Sequence, residues 1–307
     1  MAEGHGFGKT ILFGEHFVVY GLAGIAGGHK QKTIAKVEKS DKYELIDNRP
    51  ATPDYKKEKL EEQKHSMELV FKKMGIDMEK TPVKITLEGD LKAASGVGAS
   101  AANCVSVARA LSEHFGMNLN DEQINEIGFE GEKGYHGKPS GIDNTVSTYG
   151  GLIWFKKGPP MEFEQIKTSA ELNLVIANTG KTSSTTEVVG DVKKLKEEKP
   201  EEFEKIFREY ETIALEARKA IESGDLKKLG ELMNNNHELL QKITVSNSDL
   251  DTIVETARNA GALGAKMTGT GRGGLAFALA ENSEMQETIA KAVEEKGFST
   301  FKTIIGK

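Results

Sequence analysis

The run SGVGASAAN, Ser95 to Asn103, stands directly before a stretch whose apolar residues, Val105, Val107, Ala108 and Leu111, have helical spacing. Glycine lets another backbone or a ligand approach closely, and a helix N-terminus presents unpaired N–H groups and the positive end of its dipole. The segment is therefore either a phosphate cradle, with Ser95 and Ser100 adding hydroxyls for oxygen or Mg²⁺ contacts, or a turn that lets the helix pack tightly. Gly96-x-Gly98-x-x-Ala101 formally matches a dinucleotide fingerprint. The preceding strand, VKITL, ends too early for that motif, and the acid at a suitable distance, Asp121, begins a helix instead of ending a strand. Gly8-Lys9-Thr10 matches only the end of a P-loop: the glycine required upstream is Glu3, and Lys9-Thr10 lead into a strand.

Three further constellations are ambiguous singly. Gly8-Lys9, followed by Gly14-Glu15-His16, reads as a snorkelling lysine and a satisfied turn as readily as a site. The block Glu132 to Asn144 contains Pro139 and two nearby glycines that force a shaped loop; Ser140 can cap a short helix, and Asp143 then complements the dipole. Its Glu132 and His136 do not have the spacing of a zinc-binding HExxH helix. Thr268-Gly-Thr-Gly-Arg-Gly-Gly274, between two strands, permits close approach to phosphate or substrate, or is a flexible linker.

The remaining pattern places these blocks. TILF (10–13), KTIAKVE (32–38), KYELI (42–46), VKITL (83–87), GLIWF (151–155) and LNLVIA (172–177) read as strands. Residues 47–66 read as a mobile loop leading into a helix over 59–75. Asn120 and Gln123 form a capping-box pattern before a second helix. Residues 185–244 are helical, broken at Pro200, and a helix, two strands, a helix and a final strand follow. A chain of 307 residues suits two closely packed domains, and we expect them to divide near 178–182, giving 1–178 and 179–307. With 37% hydrophobic and 29% charged residues the chain is globular. A net charge of −6 speaks against a general nucleic-acid binder. The single Cys104 precludes an intrachain disulfide and fits a reducing compartment. The absence of an apolar run long enough for a membrane span, and of a signal-peptide pattern, leads us to expect a cytoplasmic protein.

Order resolves what each block leaves open. FGKTILFGEHFVVYG, SGVGASAAN, EGEKGYHGKPSGIDNTVSTYGG and GAKMTGTGRGG together resemble the ordered motif set of the GHMP kinases, and the first and third resemble the mevalonate kinases among them. That resemblance implies an α+β fold: an N-terminal mixed α/β domain that binds ATP and a C-terminal ferredoxin-like domain, with the substrate between them. It implies ATP and Mg²⁺ as cofactors, mevalonate as acceptor in isoprenoid biosynthesis, and compatibility with a homodimer. Residue by residue, it implies Asp143 as general base and Lys9 as its partner. It implies Ser95, Gly96, Val97, Gly98, Ala99, Ser100 and Ala101 as the nucleotide-phosphate loop, and Ser100 and Glu132 as Mg²⁺ ligands. Glu15, His16 and Thr185 would line the acceptor pocket, and Gly269 and Thr270 belong to the loop that closes it.

The chain departs from the family pattern in places. Gly6-Phe7 stands where Ala-Pro is usual, Ala99-Ser100 replaces two serines, Lys92-Ala93-Ala94 replaces the proline entering the loop, and Arg272 interrupts the last glycine run, where it adds a candidate phosphate contact. The rival readings are another GHMP kinase acting on a sugar, a heptose or phosphomevalonate; a non-catalytic sensor of the same fold; and a nicotinamide dehydrogenase.

Overall fold

The computed structural model describes residues 1–94, 96–158 and 162–306. The chain divides into two compact units, each assembled from two segments: Met1–Lys9 with Gly28–Gly150, and Thr10–Gly27 with Gly151–Lys307. A division into 1–178 and 179–307 differs from this one in assigning residues 10–27 and 151–178 to the first part. The change in sequence character after Gly180 marks where a helical stretch begins. Strands β1 (Ala2–Phe13) and β2 (Ala23–Lys39) contribute residues to both units.

In the first unit the second half of β2 pairs antiparallel with β4 (Val83–Gly89), and β4 pairs in parallel with β3 (Glu44–Asp47). Helices α1 (Tyr55–Glu58), α2 (Leu60–Met74), α3 (Ala99–His114), α4 (Asp121–His136) and α5 (Ile142–Tyr149) complete it. Val37, Val70, Ile85, Leu87, Val105, Leu111 and Ile124 are among its fully buried core residues.

Glycines decide how these elements approach one another. β1 begins well before the expected TILF, because Gly4, Gly6 and Gly8 hide its alternation. A Cβ on Gly4 would lie 2.3 Å from the Ser106 carbonyl oxygen, and one on Gly6 would lie 2.4 Å from that of Ala102. β1 thus crosses α3 backbone against backbone. On α4, glycine weakens a helix interior, yet Gly128, Gly131 and Gly134 form one ridge. Added methyls there would sit 2.9 Å from Val105, 2.8 Å from the Cys104 sulfur and 2.5 Å from the Ser66 backbone. The bare ridge seats α4 on α2 and α3. Its start is the expected capping box: Asn120 accepts from the Gln123 N–H at 2.9 Å, and Gln123 accepts from the Asn120 N–H at 3.0 Å.

The segment expected to be a mobile loop is tied down instead. Arg49 is 5% exposed, donates to Asp47 at 2.6 Å and to the Ala99 carbonyl at 3.2 Å. The Ala93 N–H donates to the Pro50 carbonyl at 2.7 Å. A guanidinium can be buried there because its fixed fork finds a carboxylate and a carbonyl together.

In the second unit, β5 (Leu152–Lys156) pairs antiparallel with Ala23–Gly27 of β2 and with β6 (Glu162–Ile166). β7 (Leu172–Asn178) is followed by α6 (Thr185–Glu198), α7 (Pro200–Ser223), α8 (Leu226–Lys242), α9 (Ser248–Asn259), β8 (Gly264–Thr268), β9 (Leu275–Ala280), α10 (Ser283–Glu294) and β10 (Ser299–Ile305). The sheet order is β10-β7-β9-β8, with all pairs antiparallel. This is a βαββαβ arrangement, hence the expected ferredoxin-like topology, with its first crossover enlarged to four helices. Pro200 opens α7, where its missing N–H costs nothing. Tyr210 of α7 stacks on Phe17 at 3.9 Å and donates its hydroxyl hydrogen to the Ala23 carbonyl at 2.7 Å. Mixed helices and sheets in both units make the architecture α+β. No helix among the described residues is long and apolar enough to cross a membrane.

Candidate active site

In the first unit, the approach of β1 to α3 and α5 assembles a charged cluster. Lys9 lies on β1 and is 8% exposed. α5 is held to the same strand by the Ser147 hydroxyl, which donates to the Phe7 carbonyl at 2.8 Å. Gly141, at φ 87°, starts α5 and leaves Asp143 in its first turn. The Lys9 ammonium and an Asp143 carboxylate oxygen are 2.5 Å apart.

The phosphate-loop candidates lie against the same strand. The Lys9 N–H donates to the Val97 carbonyl at 2.8 Å. Gly96 (φ 87°) and Gly98 (φ 71°) adopt the left-handed conformation, and a Cβ on Gly98 would come within 3.0 Å of the Lys9 side chain. Gly98 precedes α3 with no described side chain capping it, and the first intrahelical bond runs from the Ala102 N–H to the Gly98 carbonyl at 3.0 Å. The N–H groups of Ala99, Ser100 and Ala101 therefore lack helical partners, the arrangement that attracts a phosphate. Ser95 lies outside the described residues.

Glu132 is the anomalous group. It sits on α4 with 1% exposure, and its Oε1 has no hydrogen-bond partner among the described residues. Burial, reinforced by the negative charge of Asp143, pushes its carboxyl up to about 8, against the pull of a Ser100 hydrogen bond and the Lys9 charge. His136, one turn on, brings Nε2 to 3.4 Å from the Ser100 hydroxyl and 3.8 Å from the Glu132 carboxylate. A buried carboxylate with an unsatisfied oxygen beside a hydroxyl is an oxygen-donor pair that fits a hard cation. Among the described residues no group of three or more His, Cys, Asp or Glu side chains could hold a metal.

The second unit holds the remaining candidates. His16 adopts φ 61°, a strained value for a residue with a side chain. Its Nε2 is 2.7 Å from the Thr270 carbonyl oxygen and therefore carries the proton of that hydrogen bond. Burial lowers its pKa, opposed by the bond to Thr270. The Thr270 hydroxyl meets the Thr185 hydroxyl at 2.8 Å. Gly269 (φ 82°), Gly271, Gly273 and Gly274 all have positive φ, so the loop after β8 cannot be built from other residues without strain. Arg272, a candidate for phosphate, pairs instead with Asp191 at 2.5 Å and donates to the Thr244 carbonyl at 3.1 Å.

Glu15 is buried, and its Oε1 accepts from Lys266 at 2.5 Å. Lys266 was not singled out in the sequence. Its signal was available: a lysine within GAKMT, a strand of which every residue is buried.

A glycine-rich helix start, a Lys–Asp pair and a buried carboxylate in the first unit, together with a second unit of ferredoxin-like topology, are the features of an ATP-dependent small-molecule kinase. The comparisons agree. The model of the GHMP kinases N terminal domain matches residues 63–151, and that of the GHMP kinases C terminal domain matches residues 217–299. A mevalonate kinase of Pyrococcus abyssi is 36% identical, over 97% of this chain and 94% of its own. The crystal structure of the L. major mevalonate kinase in complex with R-mevalonate superposes with a TM-score of 0.95 at 41% identity, covering 100% of this chain and 96% of that one. The Methanococcus jannaschii mevalonate kinase gives 0.81 at 25% identity, covering 99% and 98%. The chain belongs to the GHMP kinase family.

Proposed function

We propose that this chain is a mevalonate kinase, transferring the terminal phosphoryl group of ATP to the primary hydroxyl of mevalonate and so serving isoprenoid biosynthesis. The observation that carries the chemistry is the 2.5 Å Lys9–Asp143 pair beside the glycine-led start of α3. The choice of acceptor rests on the likeness to mevalonate kinases across nearly the whole chain.

Phosphoryl transfer passes through a loose transition state that asks for positioning and charge neutralisation more than for a strong base. A carboxylate already paired with an ammonium meets that requirement. Asp143 orients the acceptor hydroxyl and takes its proton as the new P–O bond forms. Lys9 neutralises charge on the attacking and equatorial oxygens. The backbone N–H groups of Ala99 to Ala101, freed by Gly96 and Gly98, hold the nucleotide phosphates. Ser100 and Glu132 would hold Mg²⁺, which when bound neutralises the phosphate oxygens. His16, Thr185, Gly269 and Thr270 belong to acceptor recognition, with Glu15 anchoring their turn.

The test is ADP release with Mg-ATP against mevalonate, phosphomevalonate, galactose and homoserine. Mevalonate-dependent release that vanishes in Asp143→Asn is the expected result. Turnover of a different alcohol alone would overturn the assignment of acceptor, and silence on all four would overturn the kinase reading.

A further inference from the structure

Lys266 of β8 is 0% exposed, on a strand whose neighbours are all buried. Its ammonium has a complete cage within the second unit. Glu15 Oε1 accepts at 2.5 Å and the Met267 carbonyl at 2.9 Å, and the rings of Phe277 and Phe13 stand 5.3 and 5.9 Å from the nitrogen. Such a pair is a poor way to gain stability. Desolvating two charges offsets most of their attraction, and well-packed apolar side chains commonly do as well. Burial accordingly lowers the Lys266 pKa, and the charge and hydrogen bond of Glu15 oppose that shift.

What the pair does accomplish is placement. Glu15 is the middle residue of Gly14-Glu15-His16. The next residue, His16, sits at φ 61°, and its imidazole holds the Thr270 carbonyl at 2.7 Å. Lys266 lies on the strand that leads into the same loop. The pair therefore clamps both ends of the His16–Thr270 contact: one partner precedes His16, and the other precedes the loop bearing Thr270. Among the described residues Glu15 Oε2 has no hydrogen-bond partner, so the hydrogen bond that orients the carboxylate there is the one from Lys266.

We propose that Lys266 is a positioning residue for acceptor recognition, holding Glu15 so that the strained His16 turn and Thr270 keep the geometry that binds a hydroxy acid. This rests on the mevalonate kinase reading, and it goes beyond it by giving a role to a residue outside the substrate and nucleotide groups.

The test uses the full chain, with Lys266→Met, Lys266→Arg and the neutral double variant Glu15→Gln/Lys266→Met, measuring Tm, kcat, and KM for mevalonate and for ATP. Lys266→Met leaves a buried carboxylate unpaired and lowers Tm. The double variant removes both charges, and we expect its Tm to return to within a few degrees of wild type. Positioning requires that its KM for mevalonate nevertheless stays raised, by on the order of 10-fold, the scale of one or two lost hydrogen bonds, with KM for ATP within about twofold. Lys266→Arg is expected to be intermediate, because a planar fork does not fit the cage of a point charge. A double variant with wild-type KM for mevalonate would make the pair structural only. Equal rises in both KM values would show general loosening, and either result overturns the inference. Wild-type protein inactive on mevalonate is a separate outcome; it removes the reading on which the inference stands, and the inference with it.

Discussion

Glu132→Gln is expected to stabilise the protein in the absence of nucleotide while abolishing its metal-dependent turnover. Glu132 is 1% exposed, has an oxygen without a hydrogen-bond partner among the described residues, and has its pKa pushed from 4.5 up to about 8 by burial and by Asp143. A carboxyl group whose pKa is higher in the folded state than in the unfolded chain holds its proton more tightly when folded. Below about pH 4.5 both states are protonated, and the group contributes nothing. As pH rises from 4.5 to 8 the unfolded chain releases its proton first, so stability is lost progressively, and the loss is complete above about 8. At about 1.4 kcal/mol per pH unit, the interval from 4.5 to neutrality amounts to roughly 3 kcal/mol. Glutamine keeps the shape and removes the penalty. The variant should therefore exceed wild type by up to about 3 kcal/mol at pH 7, equivalent to a Tm higher by very roughly 6–12 °C, and by much less near pH 5. Thermal unfolding at pH 5, 7 and 8.5 measures this. Repeating it with Mg-ATP should favour wild type, because a neutral amide is a poorer ligand for a hard cation. A Tm difference that does not grow with pH would refute the reasoning.

Asp143→Asn should cut kcat by about 10²- to 10⁴-fold while leaving ATP binding, followed by nucleotide titration, little changed; wild-type turnover would remove Asp143 as the base. Gly6→Ala places a methyl 2.4 Å from the Ala102 carbonyl oxygen. It should destabilise by about 1–3 kcal/mol and, by shifting β1 against α3, lower kcat; unchanged urea midpoint and activity would show that the contact relaxes freely. His237 accepts the Met267 N–H at 3.3 Å and faces Asp251 at 3.1 Å, and burial lowers its pKa to about 4. The folded state binds this proton more weakly than the unfolded chain does, so its contribution is complete above pH 6.5 and is lost as pH falls toward 4. The stability advantage of wild type over His237→Gln should shrink by up to about 3 kcal/mol across that interval, measured as urea midpoints; a pH-independent difference would contradict it.

The sequence displayed most of the fold where side chains alternate or recur, and hid it where glycine replaces them. The capping box at Asn120 and Gln123, the break at Pro200 and the strands on either side of the last glycine loop follow local rules and occur as expected. Ala2 to Lys9 did not read as strand, because bare positions at Gly4, Gly6 and Gly8 carry no hydrophobic signal. The meaning of Gly4 and Gly6 lies in the backbone of α3, and that of Gly8 in the side chains of Leu91 and His29, all partners distant in sequence. Arg49 was equally illegible: in a proline- and charge-rich stretch it looks solvated, and only the fold supplies Asp47 and the Ala99 carbonyl together. Of the candidate site residues, Lys9 and Asp143 meet in a pair that motif order suggested and spacing alone could not. No local pattern places Thr185 against Thr270, because a long crossover and the sheet bring them together.

The two lysine–carboxylate pairs have the same short separation but different surroundings, and the difference separates their roles. Asp143 keeps a 30% exposed side chain opposite a nearly buried Lys9, so that pair can exchange its mutual contact for contacts to a reacting hydroxyl and a phosphate at small desolvation cost. Glu15 and Lys266 are both 0% exposed in their side chains; separating them would strand two charges away from water, which costs far more than any single substrate contact returns. A partly open pair can take part in a reaction, whereas a closed one can only fix what surrounds it. The charge proposed for catalysis on β1 and the buried charge of the turn that follows it are thus divided by solvent access, and substitutions should follow that division: neutralising the open pair should act on kcat, and neutralising the closed one on KM for the acceptor.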